Sequence, residues 1–552
     1  MNRKGLLFIF ILLLAFVLRF YQLGKIPPGI NLDEAAIGWN AYSILKTGRD
    51  EYGQFLPLVF RSHDDYKPPL YIYLTVPAVA VFGLTEYAVR FPSALLGVLA
   101  VAATYLLARE LLYLGRPNPD PKLFWVVPFT AAFLLAIAPW HLQFTRVAFE
   151  SGSVVFMTAT GLWLWLRGLR MARLYLWLLA FLFFGTELYL YQAARVFVPL
   201  FILLLFWVFF RTLWPQRKKI SLPLLLFGLL LLPTLLLATT TAGQMRLQGT
   251  SILQDPKPRE INLSWRFYDQ AKGDNNALVL FHPQILAYAQ KAAVSYLSHF
   301  RPDFLFLGES GPPVNYVANI GLLYLWEMPL LLIGLFDVWR NHKQLAWLLS
   351  GWILLAPLPA AVTSATPSSI RTTAVLPAYQ LLSAFGLFRL WEYAGERFLL
   401  QRLRYLFPLL VMGGIILYLH MMLIHAPADY SQLWFYGYKE VVADTDRLGR
   451  KYQKIIVSTN LRQPQNFFTF FLRYDPRTYL SQDGGTVSGG FRETGNHFGK
   501  YYFQPIDWGT IKDHAEILAV GKPSEFPPDA PVLKKYYYLN GQESVYIVGR
   551  NK

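Results

Sequence analysis

Leu6-Leu-Phe-Ile-Phe-Ile-Leu-Leu-Leu-Ala-Phe-Val-Leu-Arg-Phe-Tyr-Gln-Leu23 is followed, ten residues on, by Leu32-Asp33-Glu34-Ala35. The first run approaches the roughly 20 apolar residues that carry a helix across a ~30 Å hydrocarbon core. No small-residue cleavage site follows it and further apolar runs do, so it reads as a retained first helix and not a removed signal peptide. The acidic pair then falls just outside the bilayer. An ionised carboxylate at that depth is costly unless solvated or paired, which marks Asp33 and Glu34 as candidates for acid/base chemistry at a membrane surface. The pair also suits a helix start, where carboxylates satisfy first-turn N–H groups and the dipole. The two readings are compatible, because a carboxylate fixed at a helix start is an oriented base.

Composition widens the picture. Only 15% of the 552 residues are charged, 54% are hydrophobic and the mean hydropathy is +0.32, against about 25% charged in soluble domains. The class is a polytopic α-helical membrane protein. With no cysteine the chain has neither disulfide nor zinc–thiolate site. The net charge of +17 comes without a basic face or nucleic-acid module, so nucleic acid is excluded as a partner. The lysines and arginines instead sit between apolar runs, as orientation signals and contacts to membrane lipids.

Candidate spans fall at about 5–23, 88–112, 123–139, 151–168, 174–192, 196–214, 220–238, 319–339, 344–360, 371–391 and 405–424. One set of connecting loops carries Arg109, Arg116 and Lys122; Arg167, Arg170 and Arg173; Arg211, Arg217, Lys218 and Lys219; Arg340 and Lys343; Arg397, Arg402 and Arg404. The other set has little beyond Arg146, Arg195 and Arg371. The positive-inside rule then sets the N-terminus inside. Residues 70–83 are apolar but short and interrupted by Pro77, which suits an interfacial or re-entrant helix. The expectation is about eleven transmembrane helices in a domain 1–424, with extracytoplasmic loops 24–87 and 239–318. The polar tail 425–552 follows as an extracytoplasmic α/β or α+β domain. Its strand-like runs are 454–458, 515–520 and 544–548; residues 467–474 suit either helix or strand.

Further candidates lie on the outer side. In His63-Asp64-Asp65-Tyr66-Lys67-Pro68-Pro69-Leu70, the double proline can start a helix and hold Lys67 where it meets a phosphate. His63, Asp64 and Asp65 offer nitrogen and oxygen ligands to a possible divalent metal ion. His141, Arg146 and Glu150 crowd a short loop, and Arg371 opens a span as a second phosphate-binding arginine. Glu327 falls within a span, where a carboxylate is either functional or a neutral helix contact.

The ordered set Leu32-Asp33-Glu34-Ala35, Tyr66-Lys67-Pro68-Pro69-Leu70-Tyr71, Val89-Arg90-Phe91-Pro92-Ser93 and Pro139-Trp140-His141 through Glu150 resembles the GT-C membrane glycosyltransferases. Within that group it is similar to the dolichyl-phosphate-mannose-protein mannosyltransferases and the lipid A aminoarabinose transferases. The resemblance implies an inverting glycosyltransferase of the cytoplasmic membrane. Such an enzyme moves a hexosyl or pentosyl unit from a polyprenyl-phosphate-linked sugar to a hydroxyl acceptor on protein, glycan or lipid, at the outer face of the membrane. Asp33 matches the family's catalytic acid, Glu34 accompanies it and Glu150 matches the second loop acid. Lys67, with Arg146 and Arg371, would bind the donor phosphate; Tyr66, Tyr71 and His141 would line the substrate. Aminoarabinose transferases place a glutamate before the lysine and mannosyltransferases a histidine in its place. Here the pair is Tyr66-Lys67, so the glutamate on which such a metal site is built is absent. The rival class is a lipid or solute transporter or flippase, but those usually show paired halves and midplane charged sites; no such halves are seen here, and the polar residues gather outside the bilayer.

Overall fold

Helices account for most of the chain, because long Leu- and Phe-rich segments can satisfy every backbone group within themselves. The computed structural model describes residues 3–62, 65–114, 120–273, 282–308, 313–317, 319–396, 398–482 and 496–550. The first ten principal helices are α1 (Arg3–Phe20), α2 (Leu32–Thr47), α3 (Leu70–Phe82), α4 (Glu86–Leu111), α5 (Pro121–Ile137), α6 (Pro139–Thr145), α7 (Glu150–Met171), α8 (Leu174–Glu187), α9 (Ala194–Leu213) and α10 (Arg217–Ala238).

The expectation of about eleven crossings is corrected. Among the described residues, four stretches are long and apolar enough to cross a membrane: Glu86–Leu111, Ala194–Ala238, Lys343–Ala361 and Leu406–Asp429. A fifth counts if α5 and α6, bent by 55°, form one broken span. The shortfall has physical causes. The 18 residues of α1 contain Arg3, Lys4 and Arg19, and α8 has only 14 residues. Ala194–Ala238 runs as a single 45-residue stretch through the two spans expected at 196–214 and 220–238. Residues 70–83 form the short apolar helix α3, with Pro77 inside it.

Two units interleave along the sequence. One comprises Met1–Leu18, Gly97–Phe144 and Ser151–Tyr418 and is helical. Its closest helix pair is Glu327–Asn341 against Leu376–Glu396. A β-carbon on Gly334 would stand 1.9 Å from the Leu382 carbonyl oxygen, and one on Gly386 would stand 1.9 Å from that of Leu330. Only glycine permits such backbone approach between apolar helices. In the same unit α6 is tied down at Trp140, whose backbone N–H donates to Leu322 O (3.0 Å) and whose indole donates to Ser369 O (3.2 Å).

The other unit comprises Arg19–Leu96, Thr145–Glu150 and Leu419–Lys552. It holds α2, α3 and a hairpin of β1 (Phe60–Ser62) and β2 (Asp65–Lys67), in which Phe60 pairs with Lys67. Its C-terminal part is a mixed sheet of β3 (Lys454–Val457), β4 (Asn496–Phe498), β5 (Tyr501–Phe503), β6 (Ile517–Gly521), β7 (Val532–Tyr537) and β8 (Glu543–Val548), in spatial order β4-β5-β3-β6-β8-β7. β3 is parallel to both neighbours, Ile455 pairing with Tyr501 and with Leu518; the outer pairs are antiparallel. Ile456, Ala519, Phe526, Tyr546 and Val548 form a core on one face. Residues 467–474 resolve mostly as helix, within Pro464–Phe471. That helix seats on α2, where a β-carbon at Gly38 would meet the Phe470 ring at 2.5 Å.

Candidate active site

The site grows from the start of α2. Asn31 occupies the N-cap with extended backbone, and its side chain accepts from the Glu34 N–H (2.8 Å) while the Glu34 carboxylate accepts from the Asn31 N–H (3.1 Å). This reciprocal capping box fixes the first turn. Gly48, left-handed at φ 70°, closes the other end.

The two adjacent carboxylates part company there. Glu34 is wholly buried. Besides Asn31, it accepts from Arg90 Nε (2.8 Å), Arg90 Nη2 (3.0 Å) and the Ala148 N–H (2.9 Å). Arg90 is equally buried and spends its remaining donors on the carbonyls of Leu23 (3.1 Å), Pro27 (3.0 Å) and Gly29. The bidentate pair therefore binds α2, α4, the 23–29 connection and the 146–148 turn into one piece. Charge-assisted bonds of this kind survive burial because every lone pair and proton is used.

Asp33, one residue earlier, points the other way. Its side chain is 57% exposed and pairs with Lys67, whose own side chain is only 8% exposed. Lys67 does not sit at a helix mouth as its sequence suggests. It is the last residue of β2, held extended by the proline after it. The hairpin delivers it to the first turn of α2, and Pro68-Pro69 then lead into α3.

The other expected residues distribute unevenly. Glu150 begins α7, half-buried, near enough to Glu34 and Tyr71 that both carboxylates act on the phenol. Tyr71 is in the core and donates to Val89 O (3.0 Å); burial, reinforced by Glu34 and Glu150, pushes its hydroxyl well above the usual phenol range. Arg146 is buried and donates to the carbonyls of Arg19 (3.3 Å), Tyr21 (2.8 Å) and Ile26 (3.2 Å). It braces the chain leaving α1. Tyr66 is half-buried in β2 opposite Arg61.

His141 and Arg371 belong to the first unit. His141 is buried within α6, and Arg371 donates to Thr363 Oγ1 (2.8 Å) and Ala365 O (3.1 Å). Of the residues proposed as metal ligands, His63 and Asp64 lie outside the described residues, and Asp65 pairs through its backbone with Ser62. Among the described residues no group of three or more His, Cys, Asp or Glu is gathered to hold a metal ion. Arg90, Asn31 and the Ala148 N–H are site-forming groups that the sequence reading gave no role. Asn31-Leu-Asp-Glu34 was visible as a capping-box signature.

This order of helices and sheet domain has a counterpart among solved structures: the chain has a GT-C-like fold. ArnT from Cupriavidus metallidurans in its apo state matches it with a TM-score of 0.54 and 12% identity, over 98% of this chain and 97% of that one. The same protein bound to undecaprenyl phosphate matches at 0.51 and 14%, over 99% and 98%. At these identities the likeness establishes the fold. No family model matches the sequence. An uncharacterized protein of Aquifex aeolicus (strain VF5) is 29% identical over 157 residues, covering 25% of this chain and spanning under a third (30%) of that relative's length.

Proposed function

We propose that the chain is an inverting glycosyltransferase that takes a sugar from a polyprenyl-phosphate donor and places it on a hydroxyl acceptor. The observation that carries this reading is the Asp33–Lys67 pair: an exposed carboxylate on a locked helix turn, beside a nearly buried ammonium. The complex of ArnT with undecaprenyl phosphate supports a polyprenyl-phosphate donor. In the reaction, the acceptor oxygen attacks the anomeric carbon as its proton passes to the Asp33 carboxylate. The bond from that carbon to the phosphate oxygen breaks, and the electron pair leaves with the lipid phosphate. General-base help of this kind contributes about 10²–10⁴-fold, with an oxocarbenium-like transition state as in inverting sugar chemistry. Lys67 neutralises charge growing on the phosphate. In the resting chain Lys67 is on Asp33; a donor phosphate draws it away, and a carboxylate relieved of a paired cation is the stronger base. Glu34 and Arg90 orient the turn without touching the reacting atoms. The catalytic role of Glu150, the phosphate-binding roles of Arg371 and Arg146 and the substrate-binding roles of Tyr66, Tyr71 and His141 belong to the same reading, as does a divalent ion near residues 63–65.

The test is transfer from a radiolabelled polyprenyl-phosphate sugar by purified protein. Asp33→Asn is expected to bind donor and lose turnover. Near-normal turnover in that variant, or vesicle uptake of the labelled lipid without bond cleavage, refutes the assignment.

A further inference from the structure

A second basic feature lies in the helical unit, in elements the transfer reaction does not use. Lys4 near the start of α1, Lys122 at the start of α5 and Arg389 near the end of Leu376–Glu396 converge on a cleft of about 1080 Å³. Its walls are aromatic, with Trp125, Trp391 and Tyr393 each substantially exposed. Among the described residues, three acidic groups stand nearby. Glu392 lines the cleft and accepts from Arg389 Nη1 (2.5 Å), Asp337 accepts from Arg389 Nε (2.6 Å) behind it, and Asp120 caps α5 through the Lys122 N–H (2.8 Å). Within the lining, three cations face one carboxylate. The same wall, at Leu387 and Trp391, continues into an apolar slot of about 390 Å³ that also involves Leu390, Leu406, Phe407 and Leu410.

A basic, aromatic-rimmed mouth opening into an oily slot has the polarity profile of an amphiphile. The geometry points to a binding site for an anionic glycerophospholipid, its phosphodiester head among Lys4, Lys122 and Arg389 and an acyl chain in the slot. Basic pockets between membrane helices take such heads, and Lys4, Lys122 and Arg389 bring that charge to this cleft. Aromatic rings at the rim are the side chains that settle at headgroup level. The site is separate from the Asp33–Lys67 pair in residues and in chemistry, so its occupancy is measurable without turnover.

The test is native mass spectrometry on the delipidated full-length protein, titrated separately with dioleoylphosphatidylglycerol, dioleoylphosphatidylcholine and undecaprenyl phosphate. Phosphatidylglycerol is expected to be retained in preference to phosphatidylcholine. A Lys4→Gln/Lys122→Gln variant should weaken its binding about 30-fold, each lysine near an anionic surface contributing about 5-fold. A Lys4→Arg/Lys122→Arg variant keeps the charge and should retain binding, which separates loss of the site from loss of fold. Equal retention of the two diacyl lipids, or unchanged phosphatidylglycerol binding in the glutamine variant, overturns the proposal. Undecaprenyl phosphate binding more tightly than phosphatidylglycerol and weakened by the same glutamine pair overturns the glycerophospholipid assignment.

Discussion

Replacing the two neighbouring carboxylates one at a time should give opposite phenotypes. Glu34→Gln removes a charge that is fully buried and accepts four hydrogen bonds from Asn31, Arg90 and Ala148. The amide offers one acceptor oxygen and turns an NH₂ group toward donors on its other side. Arg90 is left buried with only carbonyl partners. Breaking one half of a buried ion pair costs about 3–5 kcal/mol, a large part of the about 5–15 kcal/mol that holds a typical fold together. Asp33→Asn replaces a carboxylate that is 57% exposed by an amide whose oxygen still accepts from Lys67, so it costs the fold less than breaking the fully buried pair. Its cost should fall instead on the reaction, about 10²–10⁴-fold in turnover. Thermal unfolding in detergent, followed by tryptophan fluorescence, measures the first quantity, and radiolabelled sugar transfer measures the second. Glu34→Gln should unfold at markedly lower temperature, and Asp33→Asn should unfold near wild type while failing to transfer. Equal unfolding temperatures, or a stable but inactive Glu34→Gln beside an active Asp33→Asn, would refute the division of labour.

Three other outcomes follow from the same geometry. Lys67→Met should raise the donor KM about 10–100-fold, the value of hydrogen bonds to a charged group, with Lys67→Arg recovering part of it; an unchanged donor KM would remove Lys67 from the phosphate. Gly386→Ala places a methyl against the Leu330 carbonyl and should cost about 3 kcal/mol by overpacking, visible as a lower unfolding temperature, whereas the same change at Gly228, which has open space around it, should be nearly silent. His299 is hydrogen-bonded through Nδ1 to Ser295 O (2.8 Å) and accepts at Nε2 from the Ser368 N–H (3.0 Å), and burial holds its imidazole below the usual 6.5. The unfolded chain takes up that proton first, so the stability His299 supplies is complete above 6.5 and is lost as pH falls through the lowered folded value. Hydrogen-exchange protection of the helix Gln284–Ser298, taken relative to the intrinsic base-catalysed rate, should therefore fall between about pH 7.5 and about pH 5.5, and a His299→Gln variant that keeps the same fall would refute it.

Sequence and structure agree where the signal is local. The start of α2 is legible in Asn31-Leu-Asp-Glu34 because capping acts over three residues. β3, β6 and β8 coincide with the apolar runs at 454–458, 515–520 and 544–548. β4 and β5 have three residues each, and β7 is half-exposed with Lys534 and Lys535 in it, so none carries a strong alternation. Glu34 and Arg90 are 56 residues apart and Glu34 and Ala148 are 114 apart; no periodicity reports such partners. For the same reason Arg146 reads as an outer-face charge in sequence, while its buried carbonyl partners lie more than a hundred residues upstream. Crossing number fails through a different cause. Apolar content is easy to count, but where one helix stops and another continues depends on bends such as the 55° break at α5–α6.

The glycine seam between Glu327–Asn341 and Leu376–Glu396 carries a mechanical corollary. Each helix lodges a main-chain oxygen in the notch where its neighbour lacks a side chain. Slippage by a single position would drive a methyl or larger group into that oxygen, so the two rods cannot shear past one another. They behave as one girder, and any breathing of the helical unit is displaced onto its weaker joints.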